Sequence, residues 1–197
     1  MTDPTSTGRS KRSTRQTLLA ARDAMSADTR ALVARQIAER VNGLVDVMLP
    51  VGSVLALYAP KGSEVDTRLL DGHARSHGIR VVYPRVVDGQ RVLAFHEVVP
   101  RELEVSGRFG LREPRADAPV VALGDITAFV VPGLAFDRAG GRIGWGRGYY
   151  DATLAGAPGA LRIGLAFACQ VVESIAREPH DAPMHYLITE VATHAVV

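Results

Sequence analysis

The chain has 197 residues, a length that suits one domain or two small ones and is ample for a buried core. Hydrophobic residues make up 47% of the chain and charged residues 22%, which excludes disordered, collagen-like and coiled-coil proteins. The net charge is +2, and arginine supplies nearly all of the cationic side chains. A surplus of arginine is typical of phosphate or nucleic-acid contacts, but it is equally a compositional habit of some genomes.

Apolar runs and cysteine usage indicate where the protein resides. The longest apolar runs, at residues 128–135 and 163–169, are far shorter than the ~20 residues of a membrane-spanning helix. No secretory signal follows the polar first residues. Cys169 is the single cysteine, so it cannot form an internal disulfide, and its apolar neighbours favour a buried, unreactive thiol. We therefore expect a cytoplasmic protein without a membrane partner.

The first half of the chain predicts two helices and the start of a sheet. Residues 1–10 are polar and are expected to form a disordered tail, and residues 11–197 a single α/β domain. Helical spacing of apolar residues over residues 18–25 and 27–41 predicts two amphipathic helices. A predicted strand at residues 54–58, a helix at residues 66–77 and a strand at residues 79–83 then form a unit that favours a parallel sheet.

The second half of the chain predicts a hairpin and further strands. The dipeptide Asp88-Gly89 stands between two apolar pairs, which is typical of a β-hairpin. Apolar runs at residues 128–131, 162–167 and 186–188 predict strands near the centre of the sheet. The expected fold is therefore α/β, with a mainly parallel central sheet flanked by helices in a Rossmann-like three-layer arrangement and a β-hairpin insertion.

The most informative segment is residues 131–151, which follow a predicted strand and precede a short predicted helix. Three alternating glycines, which let a ligand approach the backbone closely, lie within it: Gly144, Gly146 and Gly148. The start of the helix offers free N–H groups, and Arg142 and Arg147 add positive charge, so a polyphosphate is the expected ligand. The spacing matches neither the dinucleotide fingerprint nor the P-loop. The structural alternative is a tight strand-to-helix connection with solvated arginines.

Four further polar residues are candidates for binding. Asp151 suits Mg²⁺, which prefers carboxylate oxygens together with substrate phosphates, although a helix cap is the alternative. Glu64 follows a predicted strand, where it could bind donors of a heterocycle or simply be an exposed acid. Lys11 and Arg15 are four residues apart and so share one helix face, which could reach a phosphate or be solvated. The histidines lack zinc-ligand spacing, and no nucleophile elbow is present.

Several motifs occur in the order that is found in one known family. They are Lys-x-x-x-Arg at residues 11–15, Glu-x-x-Thr at 64–67, Tyr-Pro-Arg-Val at 83–86, Phe-Gly-x-x-Glu-Pro at 109–114, Pro-Gly-x-x-Phe-Asp at 132–137, Gly-x-Arg-x-Gly-x-Gly-x-Gly-Tyr-Tyr-Asp at 140–151, Asp-x-Pro at 181–183 and Thr-Glu at 189–190. Over most of its length the chain resembles the 5-formyltetrahydrofolate cyclo-ligases, also called 5,10-methenyltetrahydrofolate synthetases.

This resemblance implies an ATP- and Mg²⁺-dependent ligase that converts 5-formyltetrahydrofolate to 5,10-methenyltetrahydrofolate and releases ADP and phosphate. The formyl oxygen attacks the γ-phosphate of ATP, and ring closure displaces phosphate from the resulting imidate phosphate. The residues implied to bind ATP are Lys11, Arg15, Arg142, Ile143, Gly144, Trp145, Gly146, Arg147, Gly148, Tyr149 and Tyr150. Those implied to bind the folate are Ala59, Glu64, Trp145, Gly146, Arg147, Gly148 and Tyr149. Asp151 and Asp181 are the implied Mg²⁺ ligands, and Arg142, Arg147 and Tyr149 the catalytic residues.

Two alternative functions remain open from the sequence. One is a non-catalytic relative that binds nucleotides or nucleic acid on the same fold, and the other is an enzyme similar to phosphosugar isomerases or CoA-transferases. Because no aromatic residues are interleaved with a basic stretch, we expect small-molecule substrates and no nucleic-acid partner. We also expect a monomer.

Overall fold

The computed structural model describes residues 4–106 and 109–196. Four α-helices lie within these ranges: α1 (Pro4–Asp23), α2 (Ala27–Met48), α3 (Arg68–Ser76) and α4 (Tyr149–Ala155). Ser26 caps α2 because its hydroxyl accepts a hydrogen bond from the backbone N–H of Thr29 at 3.1 Å. Ala34, Ile37, Val41 and Val45 then recur at helical spacing and are buried, so α2 packs one apolar stripe against the sheet.

The same ranges contain thirteen strands. They are β1 (Val54–Ala56), β2 (Arg80–Arg85), β3 (Ala94–Glu97), β4 (Glu104–Ser106), β5 (Leu111–Glu113), β6 (Val120–Val121), β7 (Ala128–Val131), β8 (Ala135–Asp137), β9 (Arg142–Ile143), β10 (Leu161–Leu165), β11 (Val171–Val172), β12 (Tyr186–Ile188) and β13 (Thr193–Ala195). Eight of them form the central sheet in the order β13-β12-β10-β7-β1-β2-β3-β6. The five inner strands from β12 to β2 are parallel, and the outer strands β13, β3 and β6 run antiparallel to their neighbours.

The order of the parallel strands reverses direction between β1 and β7. After β1 the chain passes through α3 to β2 on one side, whereas after β7 it returns to β10 on the other side. The chain therefore leaves β1 and β7 in opposite directions at the carboxyl edge of the sheet. Such a divergence opens a crevice where ligands bind in α/β proteins.

Helices cover both faces of the sheet. Along β1 the side chain of Leu55 faces the cluster that contains α2 and α3, whereas Val54 and Ala56 face the cluster that contains Leu154 of α4. Successive side chains of a strand point to opposite faces of the sheet, so a fully buried strand contributes apolar side chains to both faces, as a three-layer α/β fold needs. None of the described helices is long and apolar enough to cross a membrane.

The predicted fold class is confirmed, and most predicted elements occur at or near their expected positions. The strands β7 and β12 match the predicted residues 128–131 and 186–188, and both opening helices are present. The first helix begins at Pro4, inside the segment for which the sequence predicts a disordered tail, and residues 1–3 lie outside the described residues. The domain boundary at residue 11 and the single-domain organisation stay predictions.

Two details differ from the sequence predictions. The hairpin between β2 and β3 exists, and Asp88-Gly89 forms a turn in which the Gln90 N–H donates to the Val87 carbonyl oxygen at 3.1 Å. However, β2 ends at Arg85 and β3 begins at Ala94, so this turn lies within a wider loop at residues 86–93 and not directly between the strands. Cys169 is exposed and not buried, because it lies in a short 3-10 helix whose Phe167 and Gln170 face inward instead. Burial of part of the thiol nevertheless raises the pKa of Cys169, which reduces its thiolate fraction.

Candidate active site

A cavity of about 620 Å³ lies at the carboxyl edge of the sheet, beside the divergence of β1 and β7. Its walls come from α1, from the loops after β1, β2 and β7, from residues 109–113 and 142–151, and from residues 178–181. The volume falls within the usual range for small-molecule sites. Among the described residues, seven lysines and arginines and five carboxylates line it: Lys11, Arg15, Lys61, Arg91, Arg112, Arg142 and Arg147, with Glu64, Glu113, Asp151, Glu178 and Asp181.

All of the site residues predicted from the sequence line this one cavity. They are Lys11, Arg15, Ala59, Glu64, Arg142, Ile143, Gly144, Trp145, Gly146, Arg147, Gly148, Tyr149, Tyr150, Asp151 and Asp181. The segments that carry them are distant in sequence, so the fold alone brings them together. Their individual roles stay predictions.

Helix α1 contributes two cations to the rim of the cavity. The Lys11 ammonium lies 3.0 Å from Glu178 Oε1 and 3.2 Å from Asp181 Oδ2. Burial alone would lower the pKa of Lys11, but these two carboxylates accept its hydrogen bonds and raise the pKa overall. Arg15 donates from Nε to the carbonyl oxygen of Gly144 at 2.9 Å. Hydrogen bonds thereby connect helix α1 both to the glycine-rich loop at residues 144–148 and to the segment that carries Asp181.

Glycine is required where the loop at residues 144–148 passes close to the arginines. A Cβ on Gly144 would lie 2.6 Å from Arg142 Nη1, so the Arg142 guanidinium would have to shift. Gly146 has φ +85°, a left-handed conformation, and a Cβ there would lie 3.3 Å from Arg15 Nη2. The glycines thus let the backbone lie directly against two guanidinium groups.

Arg142 lies at the base of the cavity with its side chain almost fully buried. Its Nη2 donates to Asp151 Oδ1 at 2.8 Å, and its guanidinium carbon lies 5.7 Å from the centre of the Tyr150 ring. Within the described residues its buried Nε has no hydrogen-bond acceptor, so the guanidinium is only partly paired. Gly148 is the N-cap of α4, so the helix-cap interpretation of Asp151 is wrong.

Glu64 forms the opposite wall of the cavity. It accepts hydrogen bonds from the Lys61 backbone N–H at 3.0 Å and from Trp145 Nε1 at 3.3 Å. Burial raises the pKa of Glu64, and these hydrogen bonds only partly oppose the shift. The neighbouring Ser63 accepts from the buried Arg22 of α1 at 2.8 Å, which anchors the loop. Trp145 therefore connects the glycine-rich loop to the Glu64 carboxylate, whose position is fixed by these contacts.

Several residues that complete the site are not among those predicted from the sequence. The Phe109 ring lies 5.0 Å beneath the Arg147 guanidinium and 6.5 Å from the Tyr149 ring. The Lys61 ammonium donates to the Phe109 carbonyl oxygen at 2.5 Å. The Phe-Gly-x-x-Glu-Pro motif contains Phe109 and could have pointed to it. Glu178 carries no signal of its own, because only the fold brings it to Lys11.

Asp137 holds two walls of the site in place from below. It is buried, and its Oδ1 accepts from the backbone N–H groups of Ala139 at 3.0 Å and Gly141 at 2.7 Å. Its Oδ2 accepts from the N–H of Ile175 at 2.7 Å. One carboxylate therefore joins the segment that leads to Arg142 with the segment that leads to residues 178–181.

A cavity lined by arginine and glycine at the carboxyl edge of a parallel sheet is typical of α/β enzymes that act on small molecules. The model of the 5-formyltetrahydrofolate cyclo-ligase family matches residues 7–190. The chain belongs to this family and is a ligase. The family assignment decides against a non-catalytic relative and against an isomerase or CoA-transferase.

Individual relatives agree with the family assignment. The 5-formyltetrahydrofolate cyclo-ligase of Mycolicibacterium smegmatis is 32% identical over 158 residues, which are 77% of this chain and 81% of that one. The Escherichia coli cyclo-ligase is 27% identical over 85% of this chain and 93% of its own. The solved 5,10-methenyltetrahydrofolate synthetase of Aquifex aeolicus superposes with a TM-score of 0.80 at 29% identity, covering 94% of this chain and 92% of that one.

Removing one acceptor from Asp137 tests whether it holds the site together. In Asp137→Asn the amide N–H₂ group faces one of the three backbone N–H donors, which then has no acceptor. We therefore expect the free energy of unfolding, measured by chemical denaturation, to fall by about 2 kcal/mol. The control Asp117→Asn removes an exposed charge paired with Arg115 and should change stability by less than about 0.5 kcal/mol. Equal stability of the two variants would contradict the role given to Asp137.

Proposed function

We propose that this ligase uses ATP and Mg²⁺ to convert 5-formyltetrahydrofolate to 5,10-methenyltetrahydrofolate, with release of ADP and phosphate. The observation that carries the proposal is the cavity itself. There, the glycine-rich loop lies against Arg15 and Arg142 and also reaches Glu64 through Trp145. A triphosphate and a folate can therefore meet across one short loop.

The triphosphate is assigned to the side of the cavity that carries the cations. Lys11, Arg15, Arg142 and Arg147 converge there from two segments of the chain. Guanidinium groups match phosphate oxygens in geometry and charge, and backbone N–H groups of a glycine-rich loop supply further donors. These groups, together with the other residues that the family resemblance implies for ATP, form the proposed nucleotide subsite.

The pterin ring is assigned to the side that carries Glu64. A carboxylate accepts two hydrogen bonds from adjacent N–H donors, which the amino-pyrimidine edge of a pterin presents. Trp145 supplies an aromatic surface, and Ala59 lines the same wall. Burial raises the pKa of Tyr58 and of Tyr150, so both hydroxyls stay protonated and neither acts as a base.

The proposed reaction proceeds in two steps. The formyl oxygen attacks the γ-phosphorus, so a C–O–P linkage forms while the bond to the leaving ADP oxygen breaks. N10 of the folate then attacks the same carbon and gives up its hydrogen as a proton, while the C–O bond breaks and phosphate leaves with that proton. Arg142 and Arg147 offset charge on the transferring phosphoryl group, and Tyr149 lines the cavity beside them. The protein mainly positions the reactants and neutralises charge.

The cavity contains carboxylates that suit Mg²⁺. Asp151 and Asp181 both line it, and carboxylate oxygens together with substrate phosphates are the usual ligands of this ion. Asp151 and Asp181 would hold the ion beside Arg142 and Lys11, the cations with which they pair. A bound Mg²⁺ offsets negative charge on the phosphate oxygens. The enzyme is further proposed to be a cytoplasmic monomer.

A direct assay tests the proposed reaction. Purified protein should form 5,10-methenyltetrahydrofolate, followed by its absorbance, only when both ATP and Mg²⁺ are present, with one ADP released for each ring closed. Product formation without ATP, or ATP hydrolysis that does not depend on the folate, would contradict the proposal.

Substitution of Arg147 tests the charge assigned to the glycine-rich loop. We expect Arg147→Ala to lower kcat by about 10²-fold, because a positioned partner of the transition-state charge is lost. The control Arg138→Ala removes an exposed arginine outside the cavity wall and should leave kcat within about 2-fold. A kcat for Arg147→Ala equal to that of the control would exclude Arg147 from the site.

The pH dependence of folate binding tests the role of Glu64. Because burial raises the pKa of Glu64, its charged form is lost at a higher pH than usual. We therefore expect KM for the folate to rise as pH falls through this raised pKa. In Glu64→Gln, KM for the folate at pH 8 should be about 10-fold higher than in the wild type, and it should stay nearly constant as the pH falls below 8. Glu173→Gln, at an exposed acid, should keep the wild-type profile. An unchanged profile in Glu64→Gln would contradict the assignment.

A further inference from the structure

A second group of potential ligand residues lies at the amino edge of the sheet, opposite the active site. Asp46 is in the last turn of α2, His73 in the last turn of α3, and His77 follows α3 directly. One ligand atom from each of the three side chains lies within 4.8 Å of the others. None of the three lines the active-site cavity.

Three contacts hold the members of this cluster close together. His73 Nε2 lies 2.6 Å from Asp46 Oδ1, which connects α3 to α2. The two imidazole rings stack with their centres 4.1 Å apart. His77 Nδ1 lies 2.8 Å from the carbonyl oxygen of His73. Because a carbonyl oxygen only accepts, Nδ1 is the nitrogen that carries hydrogen, and Nε2 of the neutral ring keeps the lone pair that a metal binds.

The surroundings favour a cation at this position. The carboxyl ends of α2 and α3 both lie here, and each helix end carries partial negative charge from its terminal carbonyl groups. All three ligand side chains are exposed or half-buried, so an ion can reach them from solvent. His73 and His77 are four positions apart on and directly after α3, a spacing that zinc sites use, so the expectation that the histidines lack zinc-ligand spacing is wrong for this pair. Asp46 adds a carboxylate from α2, which is already in contact with α3.

We propose that Asp46, His73 and His77 form a binding site for a divalent transition-metal ion such as Zn²⁺. Two imidazole nitrogens and one carboxylate oxygen suit such ions, whereas Mg²⁺ prefers oxygen ligands alone. Water would complete a four-coordinate ion, since three ligands come from the chain. The ion would replace the hydrogen bond between Asp46 and His73 and fasten the end of α2 to the end of α3. Its effect is on stability and not on the reaction.

Thermal unfolding with and without ZnCl₂ tests the site in the full-length chain. An ion that binds only the folded state raises the unfolding midpoint, and saturating Zn²⁺ should raise it by about 5 °C in the wild type. His77→Ala should lose this shift. Competition with a chromogenic zinc chelator should show at least about 10-fold weaker binding in His77→Ala. Asp46→Asn preserves the shape of the side chain and is the second variant in case His77→Ala folds poorly. It should show the same loss of the thermal shift and of Zn²⁺ affinity.

Two histidine variants serve as controls. His194→Ala removes a histidine from β13 and should keep both the Zn²⁺ shift and wild-type activity. His180 lies at the active site within 4.0 Å of Glu178 and Asp181, so His180→Ala separates Zn²⁺ binding there from binding at the proposed site. His180→Ala should keep the thermal shift. No Zn²⁺ shift in the wild type, or the same shift and affinity in His77→Ala, would overturn the proposal.

Discussion

The reversal of strand order between β1 and β7 is the constraint on which the site depends. Parallel strands release the chain at one edge of the sheet, and here two neighbouring strands release it in opposite directions. The loop after β1 carries Glu64, and the chain after β7 carries the arginine- and glycine-rich segment. The cavity is therefore a consequence of topology, and its side chains give it specificity.

A few long-range contacts convert this crevice into a defined pocket. Helix α1 closes one side, because Arg15 bonds to the Gly144 carbonyl oxygen and Lys11 bonds to Asp181. Trp145 connects the loop to Glu64. The same contacts would order a nucleotide and a folate relative to each other, so the elements that build the pocket are also those proposed to position the reactants.

Much of the fold follows from local sequence, whereas the site follows partly from local sequence and partly from the family resemblance. The continuous apolar runs of β7 and β12 predict buried strands, and the glycines between arginines predict an anion-binding loop. Contacts between distant segments carry no local signal. Lys11 and Glu178 are 167 positions apart, and the stacking of Arg147 on Phe109 depends on how two loops meet. Apolar neighbours likewise predict burial for Cys169, but the turn of a short 3-10 helix exposes it.

Calorimetric titration with Mg²⁺ and a non-hydrolysable ATP analogue tests the proposed nucleotide subsite, because it measures nucleotide binding without the folate or the reaction. We expect one site per chain, with affinity at least about 10-fold weaker in Arg15→Ala, which loses the proposed charged contact to phosphate. Arg12→Ala removes an exposed arginine from the same helix outside the cavity wall and should bind like the wild type. No binding by the folded wild-type protein, or equal weakening in both variants, would contradict the account.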